Sequence, residues 1–407
     1  MNLKADYSFV VDLDYDSSRI EVVQNVNIVN RSNKSISTLN FSVIPKAFDE
    51  FNLRELKVDG NATSFDWTNN ANLAVNLPYF VRSNEQVNVR LSYVLSPKSE
   101  ISTYLKSSLS KANGVMQVSS WFPILSNGHA MRMPGDSQFT IIAESFHMEL
   151  NLNRDMPVAA PGNITSPSNL RRIIDFGPAR NFAFSVCPSC NFISGNIDGV
   201  RVKVFAQPGI NSQAALTYAQ NSLHTFINKF ADYPYDNFIL AQGSAPSFAN
   251  EFPGIIFVGK NKMNARIIKH ETAHQWFYGI LGNDQMADPW LDEAFATWAG
   301  RGFIGHSYCS DKKVSSSIYD FPDRFDYSND GACGSYNQTV YYKGADFVQG
   351  VRTRMGDERF FNSMRNLFRE YRFQTLTNSM VINNWLEYAR PDLRTSVRRY
   401  INRFIDW

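Results

Sequence analysis

The stretch Ile267-Ile268-Lys269-His270-Glu271-Thr272-Ala273-His274-Gln275-Trp276-Phe277 sets two histidines four residues apart, with a glutamate directly after the first. Residues at that spacing share one face of an α-helix. The apolar pattern around them predicts such a helix over 263–280, with Asn264 as its N-cap and Gly282 past its end. Two imidazoles on one face can address a single ion, and Glu271 then lies beside it. The chain has only six histidines in 407 residues, so the spacing carries information. The plainer alternative is a surface helix with two solvated histidines. Ile267, Ile268, Ala273, Trp276 and Phe277 argue against it, because polar groups on so apolar a helix need a partner.

A hydrolytic zinc site takes three protein ligands and keeps a fourth position open. The next candidate downstream is Glu293, in Trp290-Leu291-Asp292-Glu293-Ala294-Phe295-Ala296. Asp288-Pro289 reads as an N-cap and first helical residue, and the helix they open extends to about Gly302. A glutamate in an Ala-rich, apolar helix face is costly unless it is paired or coordinates metal. Asp292 is its rival, rotated by roughly 100° around the helix. His270, His274 and Glu293 therefore form a candidate two-histidine, one-carboxylate set for one zinc ion per chain. Glu271 is the candidate base, taking a proton from the attacking water and passing it to the leaving amine. Thr297, one turn after Glu293, is a candidate for orienting a ligand, although a plain helix-face hydroxyl is the commoner reading.

Upstream the pattern is different. Tyr7–Leu13, Glu21–Val29 and Gln86–Leu91 alternate apolar and polar residues, as half-buried antiparallel strands do, and Asp59-Gly60 suits a tight hairpin turn. This β-rich character holds over residues 1–197 and changes near Gly195–Gly199. Residues 198–407 begin with a strand over 200–206 and a helix over 212–231. Short strands over 238–241 and 254–259 follow, and three or four amphipathic helices come after Lys343. The expectation is a multidomain α+β chain, with a β-rich domain at 1–197 and a mixed, increasingly helical domain at 198–407.

Composition sets the outer limits. With 43% hydrophobic and 19% charged residues, the chain can bury large cores. A net charge of +2 without a basic run gives no reason to expect a nucleic-acid partner. No apolar run approaches the roughly 20 residues of a membrane span, and residues 1–11 lack a charged-then-apolar leader pattern. Cys187-Pro188-Ser189-Cys190 reads as a turn rather than a redox helix start. Cys309 and Cys333 bracket a polar loop. Disulfides in an oxidising compartment are expected ahead of inert thiols, and a metal site from the four ahead of neither.

The two quoted helix segments together resemble the zinc aminopeptidases related to aminopeptidase N and the leukotriene hydrolase, gluzincins with a thermolysin-like catalytic domain. The resemblance implies the same zinc and base assignments. It extends to Val340-Tyr341-Tyr342-Lys343-Gly344-Ala345, similar to the family's Y-x-K-G element, and implies that Tyr341 stabilises the tetrahedral oxyanion, with Tyr342 as the neighbouring fallback. It also covers Phe248-Ala249-Asn250-Glu251-Phe252-Pro253-Gly254, similar to the family's G-x-M-E-N element. Here Phe248, Asn250 and Phe252 stand in place of glycine, methionine and asparagine. Glu251 falls on the glutamate that binds the substrate's free α-amine, on an edge strand along the substrate cleft. Gln117 is a candidate for a second amine anchor. Trp121-Phe122-Pro123 and Arg180-Asn181-Phe182-Ala183-Phe184 resemble the family's saddle-shaped N-terminal domain.

The implied activity is zinc-dependent hydrolysis of N-terminal residues from peptides with a free N-terminus. Short members of this kind are often extracytoplasmic, secreted or anchored, with the cytoplasm as the alternative. Competing readings are a zinc endopeptidase on the same fold, another hydrolytic use of the site, and a catalytically silent peptide-binding scaffold. A scaffold has no need of three ligands, a base and an oxyanion donor together.

Overall fold

A computed structural model describes residues 2–99, 101, 108–126, 141–321 and 331–407. Contacts divide the chain into two compact units that interleave along the sequence. The first comprises Met1–Ile193, Lys203–Ser212 and Asp236–Lys262; the second comprises Ser194–Val202, Gln213–Tyr235 and Met263–Trp407.

In the first unit an eight-stranded sheet runs in the order Asn163–Ser168, Arg171–Phe176, Ala143–Leu152, Leu3–Asp14, Arg19–Asn30, Gln86–Leu95, Phe51–Val58, Asn61–Ala62. The alternation read at Tyr7–Leu13 is present as burial of every second residue, with Tyr7, Phe9, Val11 and Leu13 inside. Pairing is antiparallel except between Leu3–Asp14 and Ala143–Leu152, which run parallel. Asp59 and Gly60 form the expected turn, both with positive φ. Two four-stranded sheets and strands of a five-stranded one also belong to this unit. Its aromatic core joins strand residues to the Trp121 and Phe182 segments. The Phe9 and Trp121 rings lie 4.9 Å apart, Phe146 stacks on Phe182 at 5.6 Å, and the Trp121 indole N–H donates to the Phe182 carbonyl at 2.9 Å.

Cys187 and Cys190 are joined in a disulfide across a tight turn and buried against Val115, Phe205, Ile239, Phe252 and Phe257. Asn237–Gln242 pairs parallel with Ile255–Val258, which pairs antiparallel with Ala249–Phe252, leaving the last strand at a sheet edge. The expectation of disulfides fails for the other pair. Cys309 and Cys333 are exposed thiols, and a hydrogen bond to Cys309 pushes the Cys333 thiol above its ordinary range.

The second unit is helical. Its helices are α1 (Ser212–Lys229), α2 (Ala265–Ala273), α3 (Trp290–Gly300), α4 (Gly344–Met355), α5 (Asp357–Glu370), α6 (Asn378–Tyr388) and α7 (Arg394–Phe404). A π-helical turn, Asn337–Lys343, leads into α4. All eleven residues of α3 are buried, so it is the central helix of the unit. Two glycines set its packing. A Cβ on Gly300 would lie 3.0 Å from the His270 backbone, and a Cβ on Gly344 would lie 2.5 Å from the Ala294 Cβ. Aromatic residues fill the remaining space, with Phe277 stacked on Phe295 at 4.6 Å and Phe226 edge-on to Trp276 at 5.4 Å. Among the described residues, no helix is long and apolar enough to cross a membrane.

Two sequence expectations about helix ends are corrected. The helix expected over 263–280 starts as read, with the Asn264 side chain accepting from the Ile267 amide, but its regular part ends at Ala273. Beyond it Gly279, Ile280 and Leu281 donate five residues back, to His274, Gln275 and Trp276, in wider turns. Tyr278 has a φ of 133°, which a regular helix cannot contain. Asp288 does not cap α3, whose N-cap is Pro289 without a side-chain bond. Asp288 instead accepts from the Asn378 amide at 2.6 Å, and Asn378 accepts from the Trp290 indole at 2.7 Å.

Candidate active site

The four-residue spacing on α2 brings the His270 and His274 rings to one face, with their Nε2 atoms 3.2 Å apart. The wide turns after Ala273 serve the second ring. The Phe277 carbonyl comes to 3.1 Å from His274 Nδ1. A carbonyl can only accept, so Nδ1 carries the hydrogen and Nε2 presents its lone pair. His274 is buried, and the side chain of His270 keeps 18% exposure, which leaves that ring the more open of the two.

Across from them, α3 presents Glu293. Its Oε2 lies 3.4 Å from each Nε2, and all three ligand atoms fall within 4.8 Å of one another. A tetrahedral ion with bonds of about 2.0–2.1 Å has ligand–ligand edges of roughly 3.3–3.4 Å. The observed separations match that shape without rearrangement. Glu293 Oε2 is buried and has no hydrogen-bond partner, a state that is costly for a carboxylate oxygen unless a cation is meant to sit there. The residues therefore fit zinc. Burial raises the Glu293 carboxyl. The electrostatic influence of the two imidazoles, His274 foremost, outweighs that effect and holds it well below the ordinary carboxylate range.

Asp292 is turned elsewhere. It accepts from the Gln285 side chain and from the Glu293 amide. Thr297 Oγ1 is buried without a hydrogen-bond partner among the described residues, so it does not bond any candidate ligand here. Glu271 is buried on α2, with a carboxylate oxygen within 4.8 Å of a His274 ring nitrogen.

The π-helical turn carries Tyr341 into this group. Its hydroxyl donates to Glu293 Oε1 at 2.5 Å, and its ring lies nearly parallel to that of His270, 6.1 Å away. Tyr342 instead stacks on His306 at 4.0 Å. The second unit thus brings His270, Glu271, His274, Glu293 and Tyr341 together. The Phe277 carbonyl that fixes the His274 tautomer had no signal in the sequence, because it is a backbone group placed by the irregular turns.

Glu251 belongs to the first unit. It is buried on the edge strand Ala249–Phe252, opposite Ile256. Gln117, also buried, reaches the neighbouring residue rather than Glu251: its amide donates to Asn250 Oδ1 at 3.4 Å and to Ser119 Oγ at 3.3 Å. Successive strand residues point to opposite faces, so the Asn250 side chain that Gln117 meets and that of Glu251 leave different sides of their strand.

Residues 253–404 match the model of the peptidase family M1 domain. Among curated proteins, aminopeptidase M1-D of Oryza sativa subsp. japonica is 26% identical over 43% of this chain and 24% of its own length. Aminopeptidase B of Rattus norvegicus is 25% identical over 48% of this chain and 34% of its own. Leucine aminopeptidase 2 of Yarrowia lipolytica is 21% identical over 87% and 59%. The chain spans about a quarter to a third of the first two relatives. Among solved structures, an M1 zinc metallopeptidase from Deinococcus radiodurans superposes with a TM-score of 0.74, covering 98% of this chain and 93% of that one at 16% identity. That likeness establishes a shared multidomain α+β fold.

Proposed function

From the match of residues 253–404 to the peptidase family M1 domain, we propose that the chain is a zinc-dependent aminopeptidase, removing N-terminal residues from peptides with a free amine. The observation that carries this reading is the convergence of His270, His274 and the unbonded Glu293 Oε2 at separations of 3.2–3.4 Å. The catalytic groups fall within the sequence region 198–407.

A zinc ion in this set supplies Lewis acidity, polarising the scissile carbonyl and making water a stronger acid. The chain's own residues do the rest. Glu271 takes the proton of the attacking water and delivers it to the departing amine nitrogen. The Tyr341 hydroxyl, held at Glu293, is the donor for negative charge developing on the carbonyl oxygen. Glu251 pairs with the substrate's α-ammonium, which selects for a free N-terminus. The Cys187–Cys190 disulfide favours an oxidising, extracytoplasmic location.

The test uses purified, zinc-loaded protein, a panel of aminoacyl chromogenic amides and an N-acetylated peptide. Cleavage restricted to free amines is expected. Cleavage of the blocked peptide would make the protein an endopeptidase, and silence with zinc bound would make it a scaffold. Glu271→Gln is expected to lower kcat by about 10²–10⁴ while keeping one zinc per chain. Loss of the metal in that variant would move Glu271 from base to ligand.

A further inference from the structure

Lys343 is a buried lysine that the zinc chemistry does not use. Its ammonium donates to the carbonyls of Ser310, at 3.0 Å, and Lys312, at 2.6 Å, and lies over the rings of Tyr308 and Phe404 at 5.4 and 5.7 Å. Burying an ammonium is costly and lowers its pKa, so a lysine here needs a return that an apolar residue would not give.

The strap it holds is itself fixed. The Val314 amide donates to the Phe404 carbonyl at 2.8 Å, and Lys313 Nζ donates to the Asn402 carbonyl at 2.9 Å. Two more bonds join the strap to the π-helical turn: Ser310 Oγ to Thr339 Oγ1 at 2.6 Å, and the Cys309 amide to Gln338 Oε1 at 3.3 Å. On its other flank the turn abuts α3. The missing side chain of Gly344 lets α4 approach Ala294, the residue after Glu293. Lys343 and Tyr341 are two residues apart, so their side chains leave roughly opposite sides of the turn. One faces the strap and the other faces Glu293.

We propose that Lys343 is a positioning residue: by tying the π-helical turn to the strap Ser310–Lys312, it fixes where the Tyr341 hydroxyl stands relative to Glu293. This rests on the role given above to Tyr341. A rival account makes Lys343 a prop for the fold at large. The two differ in one respect. A residue acting through Tyr341 has nothing left to affect once the hydroxyl is gone.

A double-mutant cycle on the zinc-loaded full chain separates them. Tyr341→Phe is expected to lower kcat by about 10²–10³, the cost of one oxyanion donor. Lys343→Met is expected to lower kcat by about 10–100-fold, as small misplacements of catalytic groups do, with KM within about two-fold and zinc content unchanged. In the Tyr341→Phe background, Lys343→Met is expected to cost nothing further in kcat. Multiplying losses in the double variant, a loss confined to KM, or a fully active Lys343→Met overturns the proposal. A Tyr341→Phe enzyme with parental kcat overturns the reading of Tyr341 instead. Should Lys343→Met fail to fold, Thr339→Val, which severs the Ser310 link, enters the same cycle. It is expected to show about a three- to ten-fold loss in kcat that disappears without the Tyr341 hydroxyl.

Discussion

Glu293 shows how one buried side chain can serve two neighbours. Oε1 accepts the Tyr341 hydroxyl, while Oε2 faces both imidazoles and has no hydrogen bond of its own. The carboxylate is kept ionised in the interior because two imidazoles compensate its burial. Glu293→Gln keeps the shape and the bond from Tyr341 but removes the charge opposite the ring nitrogens. Zinc affinity is expected to fall by more than the roughly 10–100-fold typical of an outer-shell partner, read by competition with a chelator of known affinity. Equal affinity in the two proteins would take Glu293 out of the ligand set. The sequence pointed to Glu293 over Asp292 through apolar surroundings, helical rotation and the family resemblance. The geometry adds why Asp292 is also tolerated inside: the Gln285 side chain and the Glu293 amide satisfy it.

At the scale of elements, the start of α3 carries a measurable cost. Burial pushes the Asp288 carboxyl from its ordinary 3.8 to about 6; the Asn378 hydrogen bond opposes this and the nearby Asp284 charge adds to it. Between about pH 4 and 6 the folded chain holds a proton that the unfolded chain releases. Stability therefore falls as pH rises through that window, and the loss is complete above it. An amide oxygen can accept from Asn378 without carrying charge. Asp288→Asn is thus expected to raise stability at pH 8 by about 1 kcal/mol, after allowing for the group's remaining exposure, and to be neutral near pH 3.5. Denaturant unfolding of the variant and its parent at each pH cancels the titration of the zinc ligands. Destabilisation at pH 8 would show that the charge itself holds Asn378. Asp288 also marks where sequence reading stops. Alternation marked the strands around Tyr7–Leu13, Glu21–Val29 and Gln86–Leu91, and helical spacing marked α1 and three or four helices after Lys343, because both follow from a local period. The early end of α2 follows from the wide turns that place the Phe277 carbonyl at His274. The role of Asp288 is set by Asn378, ninety residues away. Neither leaves a local mark in the chain.

For the whole molecule, the division into two units predicts that two chemical perturbations act separately. All three candidate zinc ligands lie in the second unit, while the disulfide lies in the first. A ligand that binds only the folded state stabilises it by about 4 kcal/mol at a thousand times its Kd. Chelation withdraws that from whichever unit holds the ion. The disulfide closes a loop of only a few residues, since its cysteines are three apart, and loop-closure entropy gives such a short bridge about 2 kcal/mol. Calorimetry is therefore expected to resolve a zinc-sensitive transition that mild reductant leaves in place. It should also resolve a second transition that falls in the Cys187→Ala, Cys190→Ala variant and ignores chelator. A single transition responding equally to both treatments would mean that the units unfold as one body and that zinc stabilises the entire chain.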